Sequence, residues 1–149
     1  MDFRVYDNIV GQEMECILAG ETALFRSGLT YAQSYTLDVW TDYEDIPNGL
    51  FAVFVRYYQN PLAKDFKYTI KSPANDKVHE PTKERAIVET IKFHEYFNEG
   101  ILIEAIQSYI AYNPSMALVY EVADYFNVPR DDIDYWFNEA REESCMSMD

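Results

Sequence analysis

The stretch KVHEPTKERAIVETIKF, Lys77 to Phe93, divides the chain into two kinds of sequence. Before Pro81 the apolar residues alternate or run in short blocks rich in β-formers; beyond it they recur at helical spacing. In TKERAIVETIKFHEYF, residues Ala86, Ile87, Thr90, Ile91 and His94 share one helical face. A short strand fits around KVH, just ahead of the change. Strands first and helices afterwards predict an α+β fold. The expected architecture is a small mixed or antiparallel sheet of three to four strands, preceded by one helix and covered by about four C-terminal helices.

Upstream, GQEMECILAGETALFRSG (residues 11–28) reads as the preceding helix, striped by Met14, Ile17, Leu18, Ala23, Leu24 and Phe25 and stopped at Gly28. SYTLDVWT alternates as a strand, and DYEDIPNG, with Pro47 and Asn48-Gly49, reads as a loop. LFAVFVRYY, apolar on both faces at its start, predicts a central strand. FKYTIKS predicts another, with Phe66, Tyr68 and Ile70 on one face. Downstream, EGILIEAIQSYIAYN is a helix with a broad stripe through Leu102, Ala105, Ile106, Tyr109 and Ile110. Asn113-Pro114 reads as a cap and first-turn proline for a third helix carrying Leu118, Val119, Val122, Ala123 and Phe126. A last helix starts near Pro129 with Ile133, Trp136, Phe137 and Ala140 inward. No repeat or long linker interrupts residues 1–149, which read as a single domain whose residues 114–149 form an acidic, helix-turn-helix-like annex.

The chain has 149 residues, 48% of them hydrophobic, enough for a core without metals or disulfides. MDFRVYDNIV has no signal-peptide character, and Cys16 and Cys145 lack redox or metal-ligand spacing, so a reducing cytoplasm is the expected compartment. The longest apolar run, LFAVFV, is far too short to span a bilayer. Net charge is −14, of which residues 74–149 hold −10. Such a surface repels nucleic acid and anionic lipid, so neither direct nucleic-acid binding nor membrane binding is expected. Thirteen tyrosines, roughly three times ordinary usage, suit either half-buried packing or an interface.

VADYFNVPRDDIDYWFNEA, Val122 to Ala140, has helix-turn-helix spacing, yet its second helix carries carboxylates where a DNA reader needs Arg, Lys, Asn or Gln. Two readings stay open. The corner serves packing and the acids only solubility, or the acids dock on a basic protein. Asp131 and Asp132 suit the helix N-terminus; Asp134, Glu139, Glu142 and Glu143 are not explained that way. The docking reading assigns partner binding to Asp42, Tyr43, Glu44, Asp45, Asp131, Asp132, Asp134, Tyr135, Glu139, Glu142 and Glu143. Carboxylates there stand in for phosphates and aromatics for stacked bases.

Catalytic constellations are scarce. The five glycines are scattered, and His79 and His94 lie fifteen residues apart without a second ligand at helical spacing. Cys16 reads as a packing residue on a helix. Asp65-Phe66-Lys67 has the D-x-K form of metal-dependent nucleases, with Asp38 or Asp45 as a further carboxylate, but the net charge opposes a nucleic-acid substrate. No cofactor, metal or catalytic residue is expected.

Several segments together resemble a family. AGETALFRSGLT, followed by SYTLDVWT, resembles the S-A-L-x-x-x-G-L segment of AbiEi-type antitoxins. KVHEPTKERAIVETIKF resembles their helix-opening E-R-x-I/V-x-D/E core, here Glu84, Arg85, Ile87, Val88 and Glu89. The likeness covers about residues 16–126. It implies the toxin-neutralising C-terminal region of such a protein, directed at a nucleotidyltransferase-type toxin, without the N-terminal winged helix, for which there is no room before Ala19. The expected function is a non-enzymatic acidic protein that neutralises a partner with a basic nucleic-acid-binding groove. Alternatives are a phage or mobile-element inhibitor of a defence nuclease, anti-CRISPR-like, and a metal-dependent nuclease. Oligomeric state is not legible.

Overall fold

At Thr82 the chain turns from strand to helix because its hydroxyl accepts the Arg85 N–H, satisfying one of the first-turn donors. The computed structural model describes residues 15–31, 36–42, 55–73 and 75–147, with side chains as far as Glu143. Five strands are described: β1 (Cys16–Leu18), β2 (Leu37–Thr41), β3 (Val55–Gln59), β4 (Thr69–Lys71) and β5 (Val78–Pro81). Helices α1 (Gly20–Arg26), α2 (Lys83–Lys92), α3 (Glu99–Ala111), α4 (Met116–Tyr125) and α5 (Arg130–Ser147) accompany them, with a 3-10 turn at His94–Tyr96. The sheet is mixed, in the order β3-β2-β1-β5-β4. Pairs β1–β5 and β2–β3 are parallel, β1–β2 and β4–β5 antiparallel. The α+β class and the four helices after the sheet agree with expectation.

One sheet face carries Cys16, Leu18, Leu37, Val39, Val55 and Val78 into the main core, which all five helices enter. The opposite face holds Ile17 and Trp40, cross-strand partners, under Ala63, Tyr58, Phe66, Phe93 and Phe97. No described helix is long and apolar enough to cross a membrane.

Other expectations need correction. Residues 16–18 are a strand, not part of a helix, so the sheet has five strands and β1 precedes α1. Three buried apolar residues satisfy a helical stripe and a two-sided strand equally; the slot between β2 and β5 decides. Gly20, at φ +47°, separates strand from helix, and the Phe97 ring occupies the space a Cβ would need. Among the described residues β3 is an edge strand, not central, with Arg56 and Gln59 exposed; Leu50–Phe54 lie outside the described residues. In FKYTIKS only residues 69–71 pair, Tyr68 sits at φ +61°, and Ile70 is 63% exposed. The third downstream helix starts at Met116 with Ser115 as its cap, while Asn113 takes a left-handed turn conformation ahead of Pro114.

The loop before β4 is irregular because Arg85 claims it. Arg85, fully buried, donates from Nε to Glu89 Oε1 at 2.8 Å and from Nη1 to the carbonyls of Asp65 and Lys67. Glu89 Oε2 accepts from Asn60 at 2.9 Å, and the Trp40 indole donates to the same carboxylate. Asn60 in turn donates its N–H to the Thr41 carbonyl and accepts from Leu62. Burial pushes the Glu89 carboxyl above its ordinary range against the opposing pull of Arg85, Asn60 and Trp40. Arg85→Met is expected to cost about 3–5 kcal/mol, since it strands a buried carboxylate. Pairing it with Glu89→Leu should restore part of that loss. Urea unfolding of the three variants measures both values; a loss below about 1 kcal/mol for Arg85→Met would remove the clamp from this role.

Candidate functional site

The corner between α4 and α5 is closed by local backbone chemistry. Asn127 adopts φ +58°, Val128 N–H donates to the Ala123 carbonyl at 2.8 Å, and Asn127 N–H to Asp124 at 3.3 Å. That pair of bonds is a Schellman stop. Lys92 adds a third contact, donating from Nζ to the Phe126 carbonyl at 2.8 Å. Fully buried Ala123 and nearly buried Val128 let the helices approach, and Ile133, Trp136, Phe137 and Ala140 turn the opposite face of α5 outward. The turn residue, the small residue and the inward set match the sequence reading.

Helical spacing then sorts the acids of α5. Asp131, Tyr135, Glu139 and Glu142 follow one another at i, i+4, i+8 and i+11, and Asp132, Tyr135, Glu139 and Glu143 at i, i+3, i+7 and i+11. These two rows form one stripe, exposed except for half-buried Glu139. None of its five carboxylates has an ion-pair partner among the described residues. The two arginines of α5 lie on the other flank. Arg130 pairs with Asp124 at 2.7 Å and lies over the Tyr120 ring, while Arg141 donates to Asn138. Asp134 belongs with that flank, because its carboxylate accepts the Tyr120 hydroxyl. It stands apart from the other acids of α5 that the sequence singled out.

Asp42 is exposed at the end of β2 and lines a cavity of about 490 Å³ with Gln59, Pro61 and Tyr96. Tyr43, Glu44 and Asp45 lie outside the described residues. On the other side of the 3-10 turn, a cavity of about 350 Å³ is lined by Lys92, His94, Glu99, Asp132, Tyr135 and Trp136 among others. The turn therefore separates a cavity reached from Asp42 and one reached from the α5 acids.

Sequence reading missed this turn. TKERAIVETIKFHEYF is not one helix: α2 stops at Lys92, and Phe93 leaves it at φ −113°, ψ 32°. Phe93 and Phe97 pack on Trp40 at 5.0 and 5.8 Å between ring centroids, which pulls the backbone toward the sheet. Exposed Glu95 and Tyr96 are left on the outside. The available signal was Phe93 and Phe97 bracketing HEY ahead of Asn98, which caps α3 by accepting the Ile101 N–H. His94 is half-buried, with Nδ1 3.5 Å from Glu99 and its ring 5.2 Å from Trp136.

The nuclease-like residues take other roles. Asp65-Phe66-Lys67 lies in the loop before β4, not on a strand. Asp65 accepts from the Tyr125 hydroxyl at 2.6 Å and from the Lys67 N–H at 3.0 Å. Asp45 lies outside the described residues, and no group of three or more His, Cys, Asp or Glu is placed to hold a metal among those described. Cys16 is buried, as a packing residue would be, but on β1. Asp38 is buried beneath the second sheet face; Oδ1 accepts from Arg56 Nε at 2.9 Å and Oδ2 has no hydrogen-bond partner. No protein-family model and no curated protein matches the chain.

Burial raises the Asp38 carboxyl to about 6, against the pull of Arg56. A folded-state value above the unfolded one means that the favourable contribution is fully present below about 4 and is lost as pH rises through about 6. Asp38→Asn cannot ionise. Its stability relative to the parent is therefore expected to improve by up to about 3 kcal/mol between pH 4 and pH 7. Urea unfolding of both proteins across that range checks this; a pH-independent difference contradicts it.

Proposed function

We propose that the chain is a non-enzymatic interaction protein that binds and neutralises a nucleic-acid-handling protein by occupying its basic groove. The supporting observation is the sorting of charge on α5. Five carboxylates share a stripe with Tyr135 and have no ion pair among the described residues, while both arginines of the helix lie on the far flank. Such an arrangement projects a negative field outward, which accelerates encounter with a cationic surface and makes it salt-dependent. The Asp42 and Tyr96 cavity offers a second acidic and aromatic contact beyond the turn.

Resemblance of the α1–β2 segment and of Glu84, Arg85, Ile87, Val88 and Glu89 to AbiEi-type antitoxins favours a toxin of the nucleotidyltransferase type as the target, encountered in the cytoplasm. In this reading the likeness and the acidic surface have separate roles. Arg85 and Glu89 are buried and hold the scaffold, while the contact falls to the C-terminal helix.

Reversing charge at Asp131, Asp132 and Glu139 to lysine is expected to weaken binding to the captured partner at least about tenfold at low salt and to flatten its salt dependence. Capture from host lysate, identification, and titration at two ionic strengths measure this. The partner's own RNA or DNA should compete with the parent chain. Unchanged affinity and slope would reduce the stripe to a solvated face, and tight binding of RNA by the isolated chain would overturn the proposal.

A further inference from the structure

We infer that the cavity between the His94–Tyr96 turn and the first turns of α5 is a socket for an arginine side chain of the bound partner, an assignment that rests on the acidic-surface reading above. Its chemistry selects a planar cation. Trp136, only 8% exposed, and the half-buried His94 ring stand 5.2 Å apart at 53° and provide apolar, π-rich walls. Guanidinium groups stack on such rings and are more weakly hydrated than ammonium groups. Exposed Glu99, from the start of α3, and Asp132, from the first turn of α5, supply carboxylates from two separate elements. His94 Nδ1 is buried without a hydrogen-bond partner, 3.5 Å from Glu99 Oε1. A guanidinium seated there offers N–H donors to the Glu99 and Asp132 carboxylates.

The competing occupant is an anion, drawn by the helix N-terminus and by Lys92. Two observations weigh against it. The Lys92 ammonium is engaged by the Phe126 carbonyl, and Asp131 and Asp132 already face the positive end of α5. Tyr135, which with Glu139 is common to both rows of the stripe, also lines the cavity, so the socket continues the same surface. The stripe supplies long-range attraction, and the socket fixes one side chain of the partner in place.

The test uses the full chain labelled with nitrogen-15, whose two indole signals, Trp40 and Trp136, report separately. Titration with a hexa-arginine peptide at low salt is expected to shift the Trp136 indole saturably, with a midpoint at least about fivefold lower than for hexa-lysine. The Trp40 indole should not move. Glu99→Gln with Asp132→Asn should weaken the arginine peptide about tenfold, whereas Glu95→Gln, exposed on the same turn but outside the cavity lining, should leave it unchanged. If the peptide shifts only signals around Glu139, Glu142 and Glu143, the socket is overturned and the acidic-surface reading stands. A peptide that moves no signal removes both. Pyrophosphate shifting the Trp136 indole where the arginine peptide does not would make this an anion site and overturn the proposal.

Discussion

A single buried ion pair, Arg85 with Glu89, sets the geometry on which the rest of the molecule depends. The two side chains lie one helical turn apart on α2 and reach three other parts of the fold. Through Asn60 they tie the end of β3 to Thr41 at the end of β2. Through the carbonyls of Asp65 and Lys67 they hold the loop entering β4. The guanidinium also lies 4.6 Å from the Phe126 ring at the end of α4. Desolvating a charged pair is costly, and replacing it with apolar residues is often neutral. What apolar residues in its place could not do is bind the Asn60 side chain and the carbonyls of Asp65 and Lys67.

Consequences of that constraint run toward the surface. Lys92, further along α2, meets the carbonyl of Phe126, so α2 also sets where α4 stops. The Schellman turn at Asn127 then determines how α5 departs, and Phe93 and Phe97 determine where the 3-10 turn crosses. The cavity at Trp136 lies where these two paths converge. Arg85 and Glu89 do not line it, whereas Ile91 and Lys92, from the end of the same helix, do.

The sequence was most informative where apolar spacing was long and local. Ile133, Trp136, Phe137 and Ala140 repeat over two turns, and all are buried as their spacing requires. Cys16–Leu18 is a three-residue strand whose partners, β2 and β5, are distant in the chain, so periodicity could not separate it from helix. Thr69–Lys71 was legible as a strand, but it is shorter than the alternation in FKYTIKS suggested. Arg85 was legible as part of a motif, but its hold on residues 65 and 67 was not, because long-range hydrogen bonds leave no local pattern. Among the acids, helical spacing separates Asp134 from the stripe, yet its engagement with Tyr120 required the fold. The turn at 94–96 was lost because a helical stripe can run through His94 unbroken on paper.

The helix-turn-helix outline and the acidic coat have independent causes. Ala123, Asn127 and Val128 form the corner whatever α5 presents to solvent, so the outline alone carries no implication for DNA. Charge on the outer face is a separate choice. Asp131 and Asp132 gain from the macrodipole, but Glu142 and Glu143 do not, and each stands one turn from Glu139, a like-charge penalty of about 0.2–0.5 kcal/mol per pair. Burial of Ile133, Trp136 and Phe137, at about 1.5–3 kcal/mol each, exceeds that penalty, so the helix tolerates its own repulsion. Local stability therefore permits these carboxylates without requiring them. Had balance within the helix governed their placement, Arg141 would be expected between Glu139 and Glu142 on the stripe; it lies instead on the opposite flank, over the Phe137 ring. A cationic surface brought against the stripe would find its charge uncompensated by the arginines of the same helix.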